Sequence, residues 1–129
     1  MSGDDESRLF AAINAARAAQ GLPALSHDPR AEAAARAQAR DMAQNRFMGH
    51  GGSDGSGPAQ RLEHQGYRWS FVAENLSFNY PSPEATVEGW MTSPGHRANI
   101  LAPEARDLGV ARADGALGPY RAAVFAAPL

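Results

Sequence analysis

The sequence has no cysteine. That absence excludes a disulfide framework, thiolate metal sites and a cysteine nucleophile, so packing, hydrogen bonds and ion pairs must hold the fold. Long hydrophobic runs are missing too. Nothing approaches the roughly 20 apolar residues that span a bilayer, so no transmembrane segment is expected. The opening "MSGDDESR" lacks the basic start and apolar stretch of a signal peptide. Charge of neither sign dominates: the twelve basic residues are scattered and the formal net charge is −2. A nucleic-acid-binding stripe and an electrostatic membrane anchor are therefore not expected.

What is present suits one globular domain. A chain of 129 residues is long enough for one compact core and too short for two ordinary domains, and a hydrophobic share of 43% beside a charged share of 20% is that of an ordinary folded protein. The polar start, residues 1–6, is expected to be disordered, with a single domain over 7–129.

Apolar residues at helical spacing in "SRLFAAINAARAAQG" (Leu9, Ala12, Ile13, Ala16) predict a helix that stops at Gly21. Asp28 and Pro29 can cap and open a second helix, in which Ala31, Ala35, Ala39 and Met42 form a small-residue stripe suited to close packing. "MGHGGSDGSGP" must be a loop, followed by a short helix. "WSFVAENLSFNY" reads as a strand with Phe71, Ala73 and Asn75 on one face and Val72, Glu74 and Leu76 on the other. Ser82-Pro83 and Ser93-Pro94 repeat the capping pattern for two short helices. The tail reads as an antiparallel pair turning around Asp114-Gly115. The fold class is α+β, with helices packed on a small, mostly antiparallel sheet.

Three polar residues stand in awkward places. His96 falls in the first turn of a helix, where the macrodipole opposes an imidazolium by about 0.3 to 1 kcal/mol and favours the neutral ring. Glu74 lies in an otherwise apolar strand and needs a partner, for which Arg61 and Arg97 are available. His50 sits in the glycine-rich loop, where the backbone can approach closely. Each also has a structural reading, as a solvated loop histidine, a helix-start residue or half of a salt bridge. His27 and His64 read as surface residues. "GGSDG" (Gly51 to Gly55) matches the nucleophile-elbow pattern around Ser53, but the strand, helix and large parallel sheet that motif requires are not indicated.

The segments "INAAR", "FMGHGGSDGSGPAQRLEHQGY", "AENL", "VEGWMTSPGHRANIL" and "LGVARADGALGPYRAAVFAAP" resemble, in order and spacing, the CAP superfamily, also called SCP/TAPS or pathogenesis-related 1, and most of all its cysteine-free bacterial branch. The resemblance implies a three-layer α-β-α sandwich, secretion or display at the cell surface, and a cleft lined by two histidines and two acids that in several members holds a divalent metal such as zinc. His50 matches the first histidine, Glu74 the acid and His96 the second histidine. The family's glycine before the acid is Ala73 here. Its second acid falls at Ser93, while Glu84 and Glu88 do not match it.

The resemblance thus makes His50, Glu74 and His96 the candidate cleft or catalytic residues, with His50 and His96 as metal ligands. The leading expectation is a secreted binding module, monomeric, for a divalent cation or for a small molecule, lipid or cell-envelope component. A metal-assisted hydrolase of peptides or envelope polymers, with Glu74 as base, and a sterol or fatty-acid carrier are the alternatives.

Overall fold

The computed structural model describes residues 2–129. Helix α1 spans Ser2–Ala19, strand β1 Ser26–His27, α2 Pro29–Asn45 and α3 Pro58–His64. Strand β2 spans Trp69–Phe78, α4 Pro83–Met91, α5 Pro94–Ile100, β3 Asp107–Gly115 and β4 Gly118–Pro128. The sheet order is β1-β3-β4-β2. The β2/β4 and β3/β4 pairs are antiparallel, and two-residue β1 joins β3 in parallel.

Helices cover both faces, so the architecture is the expected α-β-α sandwich with two cores. Ala122, Val124 and Ala126 of β4 pack with Ala31, Ala35, Ala39 and Met42 of α2 and with Leu62 of α3. Ala123 and Phe125, one residue out of step, pack with Leu9 and Ile13 of α1, Val87 and Trp90 of α4 and Ile100 of α5. A strand buried on both faces has no polar side, which is why the tail reads as nearly continuous apolar sequence.

The small-residue stripe of α2 brings its backbone against the sheet. At Gly109 of β3, an added Cβ would lie 2.0 Å from the Glu32 backbone nitrogen, so only glycine fits. The caps follow the sequence pattern at two helices. The Asp28 carboxylate accepts from the Arg30 and Ala31 amides at 2.8 and 3.3 Å, and the Ser82 hydroxyl accepts from the Ala85 amide at 3.0 Å.

Two expectations are corrected. The hairpin turn is Ala116-Leu117, not Asp114-Gly115, because β3 runs on until Gly115 pairs with Gly118. Gly115 serves close approach: a Cβ there would meet Tyr120 Cε1 at 2.9 Å and the Ala43 carbonyl at 3.0 Å.

The segment 1–6 is not disordered where it is described; Met1 lies outside the described residues. Helix α1 begins at Ser2, and Asp5 is buried. The Asp5 carboxylate accepts from Arg121 Nε and Nη2 at 2.9 and 2.8 Å and from Arg112 Nη1 at 2.8 Å. Glu6 accepts from Arg36 Nη1 and Nη2 at 3.0 Å and from the Arg112 amide at 2.9 Å. Asp5, which looks solvated in the sequence, is the counter-charge of two arginines more than a hundred residues away, Arg112 and Arg121, the latter 1% exposed, while Glu6 answers Arg36 of α2.

Two substitutions test this account. Gly109→Ala is expected to lower unfolding stability in urea by about 1 to 3 kcal/mol through overpacking. Asp5→Ala, which leaves Arg121 buried and unpaired, is expected to cost about 3 to 5 kcal/mol; an unchanged midpoint would show that the N-terminal turn of α1 is not anchored as described.

Candidate functional site

Strand β2 is the outermost strand beside β4, and its alternation places Glu74 with Val72 and Leu76 towards the α2 and α3 layer. Only 4% of Glu74 is exposed, and a carboxylate so placed needs compensation. Arg61 of α3 supplies it. Its Nη2 donates to Glu74 Oε1 and Oε2 at 3.2 and 3.1 Å, and Arg61 is itself buried. Arg97, the other candidate, is not the partner.

The same guanidinium organises the glycine-rich loop. Arg61 donates to the carbonyls of His50 and Ser56 at 2.7 and 2.9 Å. From the opposite side Gln38 of α2 donates to the Gly49 carbonyl at 2.6 Å. Held between these two residues, the loop presents His50, whose Nδ1 lies 2.9 Å from Glu74 Oε1 while most of its ring remains open to solvent. Gln38 was missed at the level of sequence; the signal for it is a fully buried polar residue inside an alanine stripe.

His96 enters from α5. Its Nδ1 lies 3.0 Å from the Ser93 hydroxyl, and its carbonyl accepts from Asn75 Nδ2 at 3.0 Å. Asn99 in turn donates to Asn75 Oδ1 at 2.9 Å. Ser93 occupies the N-cap position of α5 without a side-chain hydrogen bond to the helix, so the expected capping role passes to contact with His96. The His96 and Trp90 rings lie tilted, with centroids 6.4 Å apart. His50 and His96 therefore approach consecutive residues of β2, Glu74 and Asn75.

The two imidazoles are biased in opposite directions. The hydrogen bond that His50 Nδ1 donates to the Glu74 carboxylate is the main cause holding the His50 pKa above its ordinary 6.5. Burial, with the nearby charge of His50, pushes His96 below it. The direction at His96 is the one expected from sequence, but desolvation rather than the helix terminus is the main cause.

The remaining candidates stay outside this cluster. His27 is exposed, its Nε2 2.7 Å from Glu32 Oε1, and His64 is exposed on α3. Ser53 is an exposed loop residue whose amide donates to Asp41 at 2.7 Å, and the next helix begins only at Pro58, so no nucleophile elbow exists. Among the described residues, no group of three or more metal-ligating acids and histidines gathers. Glu74 is poorly placed as a general base, because its side chain is 1% exposed and both oxygens are engaged by Arg61.

The fold is a three-layer α-β-α sandwich in which two histidines approach an edge strand, one of them paired with a buried glutamate. The sequence model of CAP, described as the cysteine-rich secretory protein family, matches residues 10–126. The chain belongs to this family, although it has no cysteine.

The protein YkwD of Bacillus subtilis is 32% identical over 105 residues, 81% of this chain and 41% of that protein. Among solved structures, an extracellular protein with an SCP domain from Bacillus anthracis superposes with a TM-score of 0.88 at 24% identity, covering 97% of this chain and 41% of that one. An outer surface protein of Borrelia burgdorferi gives 0.90 at 21% identity, covering 98% and 94%. The chain thus spans about two fifths of the Bacillus proteins, and the low-identity likenesses establish the fold. No described helix is long and apolar enough to cross a membrane.

Ring-proton NMR titration is expected to place the His50 midpoint above 6.5 and that of His96 below it. Stabilisation from the His50–Glu74 pair is fully present below pH 6.5 and is lost as pH rises through the raised folded value; that from neutral, half-buried His96 is present above 6.5 and is lost as pH falls through its lowered value. In Glu74→Gln the His50 midpoint should drop, and loss of the counter-charge to Arg61 should cost about 3 to 5 kcal/mol. A His50 midpoint unmoved by Glu74→Gln would contradict the pairing.

Proposed function

We propose that this is an extracytoplasmic binding domain whose cleft takes up a divalent cation, zinc foremost, on Nε2 of His50 and Nε2 of His96. One observation carries the reading. Each imidazole has its Nδ1 engaged within the fold, by Glu74 and by Ser93 respectively, which leaves Nε2 of both rings as the nitrogen available to a ligand. A ligating histidine oriented through its second nitrogen by a carboxylate or hydroxyl is the usual outer-shell arrangement of metal sites.

The donor set fits such an ion only in part. With no third acid or histidine gathered among the described residues, two imidazoles would hold the cation while solvent or a bound molecule completed its coordination. That composition argues against a closed structural zinc site, which takes four protein ligands. When bound, the ion would supply Lewis acidity and positive charge at the cleft. The protein's own residues position it: Glu74 fixes the orientation of His50, Ser93 that of His96, and Arg61 neutralises Glu74 so that the carboxylate can remain buried. Placement outside the cytoplasm is supported by the extracellular and outer-surface neighbours.

Calorimetric titration with zinc tests the reading. At about pH 7.5 the metal-free protein is expected to bind with micromolar affinity, and at about pH 5.5 binding should weaken because both ligating rings must be neutral. The His50→Ala/His96→Ala double variant should fold and bind none. Absence of binding at the higher pH, or undiminished binding in the double variant, would overturn the proposal.

A further inference from the structure

Beside His96 lies a recess with a different chemistry. It has a volume of about 380 Å³ and is bounded by the end of β2, the loop after α2 and the α4–α5 pair. Its apolar walls include Met48, Phe78, Tyr80 and Trp90, with Ser77 and His96 adding polar groups. No Asp, Glu or Arg lines it. The volume is at the small end of ligand-binding clefts and suits a single substituted ring.

Two further observations mark it as more than a surface dimple. Among the described residues only four large hydrophobic side chains are exposed, and two of them, Met48 and Tyr80, flank this recess. Clustered exposure of that kind marks an interaction site more often than scattered apolar residues do. In addition, Ser77 is 2% exposed, and its hydroxyl has no hydrogen-bond partner among the described residues. A buried hydroxyl is ordinarily paired, so an orphan beside a recess points to a partner supplied from outside.

The walls are held in place. Trp90 Nε1 donates to the Leu76 carbonyl at 2.9 Å, fixing the indole against β2. Asn79 turns the chain just after β2 with φ at 66°, a left-handed conformation that asparagine tolerates, and the Tyr80 carbonyl is then anchored by Arg121 Nη1 at 2.9 Å. The Tyr80 ring lies on α4 at Gly89, where an added Cβ would come within 2.6 Å of Tyr80 Oη. Gly89 is therefore what permits Tyr80 to lie flat and close one side.

We propose that this recess binds an uncharged aromatic group bearing one hydrogen-bonding substituent, of the phenolic type, with its ring between Trp90, Phe78 and Met48 and its polar substituent on the Ser77 hydroxyl. Aromatic walls and a thioether favour a ring over a flexible aliphatic chain. The absence of lining acids, lysines and arginines disfavours an anion or cation, and the orphan hydroxyl supplies a polar anchor that, unlike Ser93 and His96, has no partner within the fold. The recess shares only Ser93 and His96 with the cation site, so it holds whether or not a metal binds there.

The test uses p-cresol, toluene and benzoate as probes of the metal-free protein. The readouts are the NMR signals of the Trp90 indole N–H and the Met48 methyl. p-Cresol is expected to shift both saturably, with toluene and benzoate weaker. Ser77→Ala should weaken p-cresol about two- to ten-fold, the loss of one neutral hydrogen bond, and leave toluene unchanged. Because that substitution only deletes an unpaired hydroxyl, the fold should be retained, as the unperturbed spectrum elsewhere would show. Gly89→Ala, by displacing Tyr80, should weaken both neutral probes. His50→Ala, which abolishes a cation ligand, should bind p-cresol like the wild type. No saturable shift with p-cresol, or equal p-cresol affinity in Ser77→Ala, would overturn the proposal and leave the cation reading untouched.

Discussion

Arg61 carries a charge into a nearly closed interior, and the edge of the molecule that holds the candidate site is arranged around it. One guanidinium neutralises Glu74 on β2 and takes the carbonyls of His50 and Ser56 from the glycine-rich loop. Without it Glu74 would be an uncompensated buried carboxylate, and the loop would lose a donor that gives it shape. A bidentate, always-charged side chain suits this task better than lysine, since its several N–H groups serve a carboxylate and two carbonyls at once.

The other helical layer repeats the device. Arg17 of α1 is buried and donates to the carbonyls of Pro23, Ile100 and Ala102, tying α1 to the end of α5. Arg121 of β4 joins Asp5 to Tyr80 and Thr86. In a chain without disulfides, such buried arginines tie distant segments together, while the alanine stripe of α2 lets helix and sheet backbones meet at Gly109. The result is a rigid support for β2, and a histidine pair can be held at defined places only on a support of that kind.

Much of the architecture was legible locally. Asp28-Pro29 and Ser82-Pro83 announce helix starts because a cap side chain and a fixed φ act within three residues. The two faces of β2 follow from the period of two, and Glu74 stood out as a carboxylate among apolar neighbours. His50 and His96 were legible from the family's motif, supported by their glycine-rich and helix-start surroundings. Less legible were Ser93, whose hydroxyl meets the His96 ring rather than a backbone amide of α5, and Gln38, whose role exists only because the loop folds back over α2. Two-residue β1 is too short to show a period at all, and Gly115 reads as a turn residue although its neighbours use it for close approach.

Sequence by itself determined the succession of helices and strands, the apolar faces and the three residues that carry the candidate site, because periodicity, capping and turn chemistry act over a few residues. Tertiary structure decided which arginine answers Glu74, that Asp5 and Glu6 belong to the fold, and that burial rather than the helix terminus chiefly biases His96. Those outcomes depend on charges and surfaces brought together from different elements of the fold, where desolvation makes each ion pair depend on its whole surroundings.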